Sequence, residues 1–216
     1  MDYALLSKSM LFHKLDEEQI KSAIKQLKAK EYNLKKGEVI LRAGEKADKF
    51  GIILKGSLIA EHINIDGARI ILSVISENNI FADLFAILGA DEYPINFVAN
   101  EDTTVLLFHL TNGLKALNTD TINRVVKNML YITEKKVAAY AGKSVFTSQK
   151  RMRDKINMYF SYLSHQAHSK KFTIPLNRQG LADYLAVDRS ALSYELSRMQ
   201  KEGLIKYKKN EFELLY

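Results

Sequence analysis

Hydrophobic and polar positions change rhythm three times along the chain. The first stretch carries two short helical patterns, around Tyr3–Phe12 and Glu17–Leu27. From Tyr32 the apolar residues fall in short runs rich in Ile, Val and Leu: Val39–Arg42, Gly51–Leu54, Leu58–Ile65 and Arg69–Ile75. Gly37, Gly44, Gly56 and Gly67 punctuate them at intervals of 7 to 12 residues, which predicts an antiparallel barrel or sandwich. Asp66-Gly67 between two apolar runs predicts a hairpin turn. From about Asp120 the period is helical again for some 25 residues without proline. Ile122, Val126, Met129, Thr133, Val137 and Tyr140 recur there at spacings of three and four, forming one stripe. Such a helix reaches roughly 40 Å at 1.5 Å per residue, more than a small domain needs. A narrow apolar seam on so long a helix predicts pairing with a second copy of the chain.

The last third reads as three helices followed by a hairpin. Met152–Leu163 is amphipathic, with Ile156, Tyr159, Phe160 and Leu163 on one side, and the polar stretch Ser164–Lys171 follows as a link. Asn177 stands as an N-cap ahead of Leu181, Ala182 and Leu185. After Ala186-Val187, Asp188 caps a helix whose inner face is Leu192, Leu196 and Met199, and Gly203 ends it. Leu204–Tyr207 and Phe212–Leu215 are short strands around a charged turn, completing the grammar of a winged helix-turn-helix.

Charge sharpens that picture. The chain of 216 residues has a net charge of +7. Residues 1–145 hold 19 Lys and Arg against 18 Asp and Glu, whereas residues 146–216 hold 13 against 7. Positive charge gathered on a small helical segment points to a polyanion. No apolar run reaches membrane-spanning length, and the opening residues lack the layout of a secretory signal, so a cytoplasmic protein that contacts no membrane is expected. With no Cys, disulfides, thiolate zinc sites and Cys-ligated iron–sulfur clusters are excluded.

In a helix-turn-helix the second helix enters the major groove, so its outward residues must read base edges. With Leu192, Leu196 and Met199 turned inward, Arg189, Ser190, Ser193, Tyr194 and Ser197 turn outward: one guanidinium, three hydroxyls and a phenol, with no acid. Arg bridges O6 and N7 of guanine, and Ser serves base edges or phosphates. Arg178, Gln179, Lys206, Lys208 and Lys209 flank this face as candidate phosphate contacts.

LNRQGLADYLAVDRSALSYELSRMQKEGLI resembles the DNA-binding motif of the cyclic-AMP receptor protein and fumarate–nitrate regulator (CRP/FNR) superfamily. KKGEVILRAGEKADKFGIILKGSLIA resembles the opening strands of that family's sensory β-roll, and the long helix lies where the family has its dimer helix. The resemblance implies an α+β chain in three parts. Residues 1–119 would form an antiparallel, cyclic-nucleotide-binding-like β-roll, 120–149 the dimerisation helix, and 150–216 the winged helix-turn-helix. It also implies a homodimeric transcription regulator, no enzyme, that binds double-stranded DNA at an inverted repeat and works with RNA polymerase. Asn177, Arg178 and Gln179 match positions of phosphate and edge contacts, and Arg189 matches a base-reading Arg. Ser190 and Tyr194 replace a Glu and a second Arg, so no operator sequence carries over.

The sensor departs further from the family pattern. Cyclic-nucleotide binders resemble one another in a Gly-Glu followed by an Arg-Ser pair, the Glu taking the ribose and the Arg the phosphate. Here the segment is Phe81-Ala82-Asp83-Leu84, followed by Tyr93-Pro94-Ile95-Asn96. Pro94 lacks an N–H and Ile95 cannot hold an anion, so cyclic AMP is not the expected effector. The same segment, with Ile80, Phe85 and Tyr140, predicts a pocket suited to an uncharged effector or none. The alternatives are a ligand-independent regulator whose barrel is only a dimer platform, and a haem or gas sensor drawing an axial ligand from His13, His62, His109, His165 or His168. A cupin-like metal enzyme would need a clustered His set, and these five are scattered.

Overall fold

The computed structural model describes residues 6–109 and 119–216, leaving aside the side chains of Thr119 and Ile122. The chain divides into two compact units. One runs to Ile63 and resumes over Ser73–Val137; the other comprises Asn64–Leu72 and Ala138–Tyr216.

The first unit is an antiparallel β-roll. Its strands are β1 (Lys30–Leu34), β2 (Val39–Leu41), β3 (Lys49–Lys55), β4 (Ser57–Ile63), β5 (Arg69–Ser76, of which Arg69–Leu72 group with the second unit), β6 (Ile80–Phe81), β7 (Asn96–Ala99) and β8 (Thr103–His109). They form two four-stranded sheets in the orders β1-β8-β3-β6 and β2-β7-β4-β5. Gly51 permits one close approach: a Cβ there would sit 2.4 Å from the Phe81 ring and 2.9 Å from the Leu106 carbonyl. The turn after β4 forms at the anticipated place, with Gly67 at φ +80° and its N–H donating to the Asn64 carbonyl at 2.9 Å. Strands β1, β7 and β8 and the two-residue β6 supply the pairings that the short apolar runs alone did not delimit.

Helix α1 (Glu17–Gln26) starts from a reciprocal capping box. Asp16 accepts from the Gln19 N–H at 2.8 Å, and the Gln19 side chain accepts from the Asp16 N–H at 3.1 Å. The helical pattern around Tyr3–Phe12 is corrected. Residues 3–5 lie outside the described residues; Leu6 is helical, and the pattern is broken before a separate 3₁₀ turn, Met10–Phe12, which buries Leu11 and Phe12. These segments cover one face of the roll, and their core joins Phe12, Ile20 and Leu27 to Phe50, Ile52, Leu106 and Phe108. Phe50 and Phe108 stack with ring centroids 5.0 Å apart.

Helix α2 (Asp83–Leu88) follows β6, and the long helix α3 runs Thr119–Thr147, stopping two residues short of the expected boundary. At its end Thr147 and Gln149 donate side-chain hydrogen bonds to the Lys143 and Val145 carbonyls, each at 2.9 Å, competing with further helical turns. The predicted seam needs a correction at Met129. That side chain is 2% exposed and packs with Val125 into the core of the roll, so it cannot face a second copy. Val126, Leu130, Val137 and Tyr140 are exposed, and Thr133 is half-buried with its hydroxyl donating to the Met129 carbonyl at 2.9 Å. The side chain of Ile122 lies outside the described residues.

The second unit holds α4 (Met152–Ala167), β9 (Lys171–Thr173), α5 (Arg178–Leu185), α6 (Arg189–Lys201), β10 (Ile205–Lys208) and β11 (Glu211–Leu214). Ser164–Lys171, expected as a link, is half helix: α4 continues to Ala167, His168 closes it at φ +47°, and the rest leads into β9. Polarity there marks an exposed helical end as well as the short link after it. Strand β9 pairs with β11, so the wing is a three-stranded sheet in the order β10-β11-β9 and not a lone hairpin. Phe160 packs against Phe212 and Phe172 at centroid distances of 4.8 and 5.4 Å, clamping α4 onto the sheet. Residues Asn64–Leu72 join this unit through Arg69, whose guanidinium lies 3.7 Å from the Asp183 carboxylate, and through the Ile71 and Leu72 carbonyls, which accept from Lys143.

Candidate nucleic-acid interface

Local chemistry fixes the pose of the two helices that matter. Asn177 accepts from the Gly180 N–H at 2.8 Å and Asp188 from the Ala191 N–H at 2.8 Å, so each helix begins on a side-chain cap. Between them the chain turns sharply at Ala186, which adopts φ +52°. Leu192, Leu196 and Met199 of α6 are fully buried beneath it, together with Leu181 and Leu185 of α5. Arg189, Ser190, Tyr194 and Ser197 therefore lie exposed on the opposite side, with Ser193 half-buried at the margin.

Tyr194 is 71% exposed, a large ring that no packing demand accounts for. The serines are engaged locally. Ser190 donates to Asp188 at 2.5 Å, Ser193 to the Arg189 carbonyl at 2.9 Å, and Ser197 to the Ser193 carbonyl at 2.9 Å. Their lone pairs stay open, so they can accept from a base amine without breaking these bonds. The bond from Ser190 holds the Asp188 carboxyl below its usual range, keeping the cap charged.

Arg178 departs from the sequence expectation. Its guanidinium lies 5.1 Å from the Tyr207 ring and 5.9 Å from Phe212, half-buried over the wing, and desolvation lowers its pKa. It fastens α5 to the wing, and a phosphate would have to share it with those rings. Gln179 donates to Asp183 at 2.7 Å, while Asn177 is spent on its cap. Lys206, Lys208 and Lys209 are exposed on the wing, Lys206 and Lys208 opposite Glu213 and Glu211 in the strand register.

Sequence reasoning passed over a charge network on the other side of α6. Arg153 of α4 donates to Glu195 and, at 2.6 and 3.1 Å, to both oxygens of Glu202, which also accepts from Arg198 at 2.9 Å. The Arg153 hydrogen bonds hold the Glu202 carboxyl below its ordinary pKa. The acids of α6 are thereby neutralised away from the Arg189–Ser197 face. Spacing along α6 could have hinted at this, since Glu195, Arg198 and Glu202 are three and four apart, but Arg153 comes from 42 residues upstream.

In the sensor, Ala82 adopts φ +59° and Asp83 opens α2 with only 1% of its surface exposed. Asp83 Oδ1 accepts from the Lys136 ammonium of α3, and Oδ2 has no partner among the described residues. Ile80 and Phe81 are fully buried in the roll and Leu84 is exposed, while Tyr140, expected beside them, belongs to the second unit. Ile95 is buried and Pro94 exposed. The acid is engaged by a lysine, Pro94 has no N–H, and the Ile95 side chain carries no donor. His62 Nδ1 lies 3.5 Å from the Pro94 carbonyl, and among the described residues no group of three His, Asp or Glu could hold a metal ion.

Comparison with known proteins draws the two units together. The model of a cyclic nucleotide-binding domain matches residues 31–120, and that of a Crp-like helix-turn-helix domain matches residues 155–215. Among curated protein sequences there is no match. The fold is similar to CLP, a c-di-GMP responsive global regulator of Xanthomonas campestris, at 14% identity and a TM-score of 0.74, covering 93% of this chain and 100% of that one. FixK2 from Bradyrhizobium japonicum is similar at 16% identity and 0.70, over 87% of this chain and 93% of that one. DNR from Pseudomonas aeruginosa is similar at 22% identity and 0.52, over 99% and 93%. With a cyclic-nucleotide-type β-roll ahead of a Crp-like reading head, the chain belongs to the CRP/FNR superfamily of DNA-binding transcription regulators.

Proposed function

We propose that the protein is a homodimeric, cytoplasmic regulator and not an enzyme, reading an inverted repeat through the Arg189–Ser197 face of α6. The observation that carries this reading is that face itself: a capped, solidly packed helix presenting Arg189, Tyr194 and serines, with its acids paired elsewhere. Arg189 supplies the base-specific contact, while Lys206, Lys208 and Lys209 neutralise phosphates. Two copies related by a two-fold axis present two such helices about 34 Å apart, one turn of duplex. The dimer seam is Val126, Leu130, Thr133, Val137 and Tyr140, a strict alternation of four and three that includes Leu130 in place of Met129. RNA polymerase is the partner through which such a regulator acts. The sensor takes an uncharged effector or none, since Asp83 is engaged by Lys136 and Pro94-Ile95 offers no anion ligand.

Selection of genomic fragments by the purified protein tests the reading. It should enrich an inverted repeat with half-sites a whole number of helical turns apart, and log affinity should fall linearly with log salt. No enriched sequence, with binding flat between about 50 and 200 mM salt, would overturn it.

A further inference from the structure

The Asp83–Lys136 pair is unlike the other ion pairs of the roll. Lys35–Asp102 and Lys21–Glu17 lie at the surface, where an ion pair is worth little. Asp83 is almost wholly enclosed, and Lys136 is its one charged partner among the described residues. A carboxylate is seldom left so deep without a purpose, because removing either partner strands an uncompensated charge.

The placement of the two residues suggests that purpose. Asp83 follows β6 directly, and β6 is registered on β3 by Gly51↔Phe81 and Ile52↔Ile80, so its carboxylate is fixed to the frame of the roll. On α3, Val125, Met129 and Ile132 pack into the roll, and Lys136 continues that face at the same three-and-four spacing. Lys136 is the last residue of that face before the first unit ends at Val137, and seven residues on Lys143 donates to the Ile71 and Leu72 carbonyls of β5. Beyond it α3 runs on without a break to Thr147. Whatever fixes Lys136 holds the middle of the exposed seam to the frame of the roll.

We propose that Lys136 is a built-in brace. Its ammonium, held on Asp83, anchors the long helix without a bound effector, so that the protein reads its inverted repeat in the ligand-free state. The inference rests on the DNA-reading function above and adds how the sensor permits it. Because the brace sets the geometry of the pair of reading heads and not the chemistry of either, it governs binding to two half-sites together and leaves a single half-site untouched.

The test compares the wild-type protein with Asp83→Asn/Lys136→Met, which removes both charges and leaves no lone buried ion. Affinities are measured by fluorescence anisotropy on the full inverted repeat and on a single half-site, with mass and melting curve as controls. The expected result is at least a tenfold loss on the full repeat, an unchanged half-site affinity and a retained dimer. Full-repeat affinity within twofold of wild type overturns the brace. A second measurement needs no variant: wild-type protein unfolded, dialysed free of small molecules and refolded should bind the full repeat as before. Recovery only on adding back the dialysate overturns the proposal. Wild-type protein that binds no DNA in any preparation fails the DNA-reading function itself, a result distinct from either of these.

Discussion

Replacing Leu130 and Val137 by Glu tests which side of the long helix faces the second copy. Full burial of a Leu or Val side chain is worth about 1.5–3 kcal/mol. Leu130 is 67% exposed and Val137 59% in the single chain, so each has about 1–2 kcal/mol still to gain from a partner. Two-fold symmetry counts each residue twice, giving about 4–8 kcal/mol across the seam, a thousandfold or more in the dimer dissociation constant. Four carboxylates brought together add repulsion to that loss. The companion change, Met129→Ala, removes a side chain buried in the roll and should lower fold stability by about 2–5 kcal/mol without altering association. Sedimentation equilibrium gives the mass of each variant and a thermal melt its stability. The account requires Leu130→Glu/Val137→Glu to be a folded monomer and Met129→Ala to be a less stable dimer. The reverse pattern, a dimer in the first and a monomer of undiminished stability in the second, would refute the seam.

Three further outcomes are expected. Calorimetry with cyclic AMP and cyclic GMP should show no binding up to millimolar ligand; micromolar binding of either would mean that backbone amides alone hold the phosphate. Arg178→Ala should cost about 1–2 kcal/mol of stability by uncovering the Tyr207 and Phe212 rings, seen as a lowered Tm; an unchanged Tm with weakened DNA binding would make Arg178 a phosphate ligand instead. Burial pushes the Lys143 ammonium down to about 8 from its usual 10.5, so the unfolded chain binds more protons between those values. Stability should therefore rise from pH 8 toward pH 10 relative to Lys143→Met, and the two proteins should run parallel below pH 8.

Much of this molecule is legible from local chemistry. Asn177 and Asp188 announce their helices because a cap acts within three residues. Gly67 announces its hairpin because the turn needs a positive φ. What stayed hidden depends on residues far apart in the chain. Met129 and Leu130 both fit a helical stripe, and only the roll packed against Met129 decides which of them is left for a partner. Arg178 counts as a free cation until Tyr207 and Phe212, some thirty residues on, are seen beneath it. Asp83 resembles a ligand acid until Lys136 arrives from 53 residues downstream. Strand β9 is three residues of Lys-Phe-Thr with no pattern of its own, and it exists because β11 offers it an edge.

The central claim, that α6 reads bases while the wing holds phosphates, is tested most directly by repeating selection from randomised duplexes with Arg189→Ala and Lys208→Ala. Arg189→Ala should lose preference at one base pair in each half-site and about 1–3 kcal/mol against the preferred sequence. Lys208→Ala should bind every sequence more weakly and keep the wild-type preference intact. An Arg189→Ala protein that selects the same sequence, base for base, as the wild type would contradict the account.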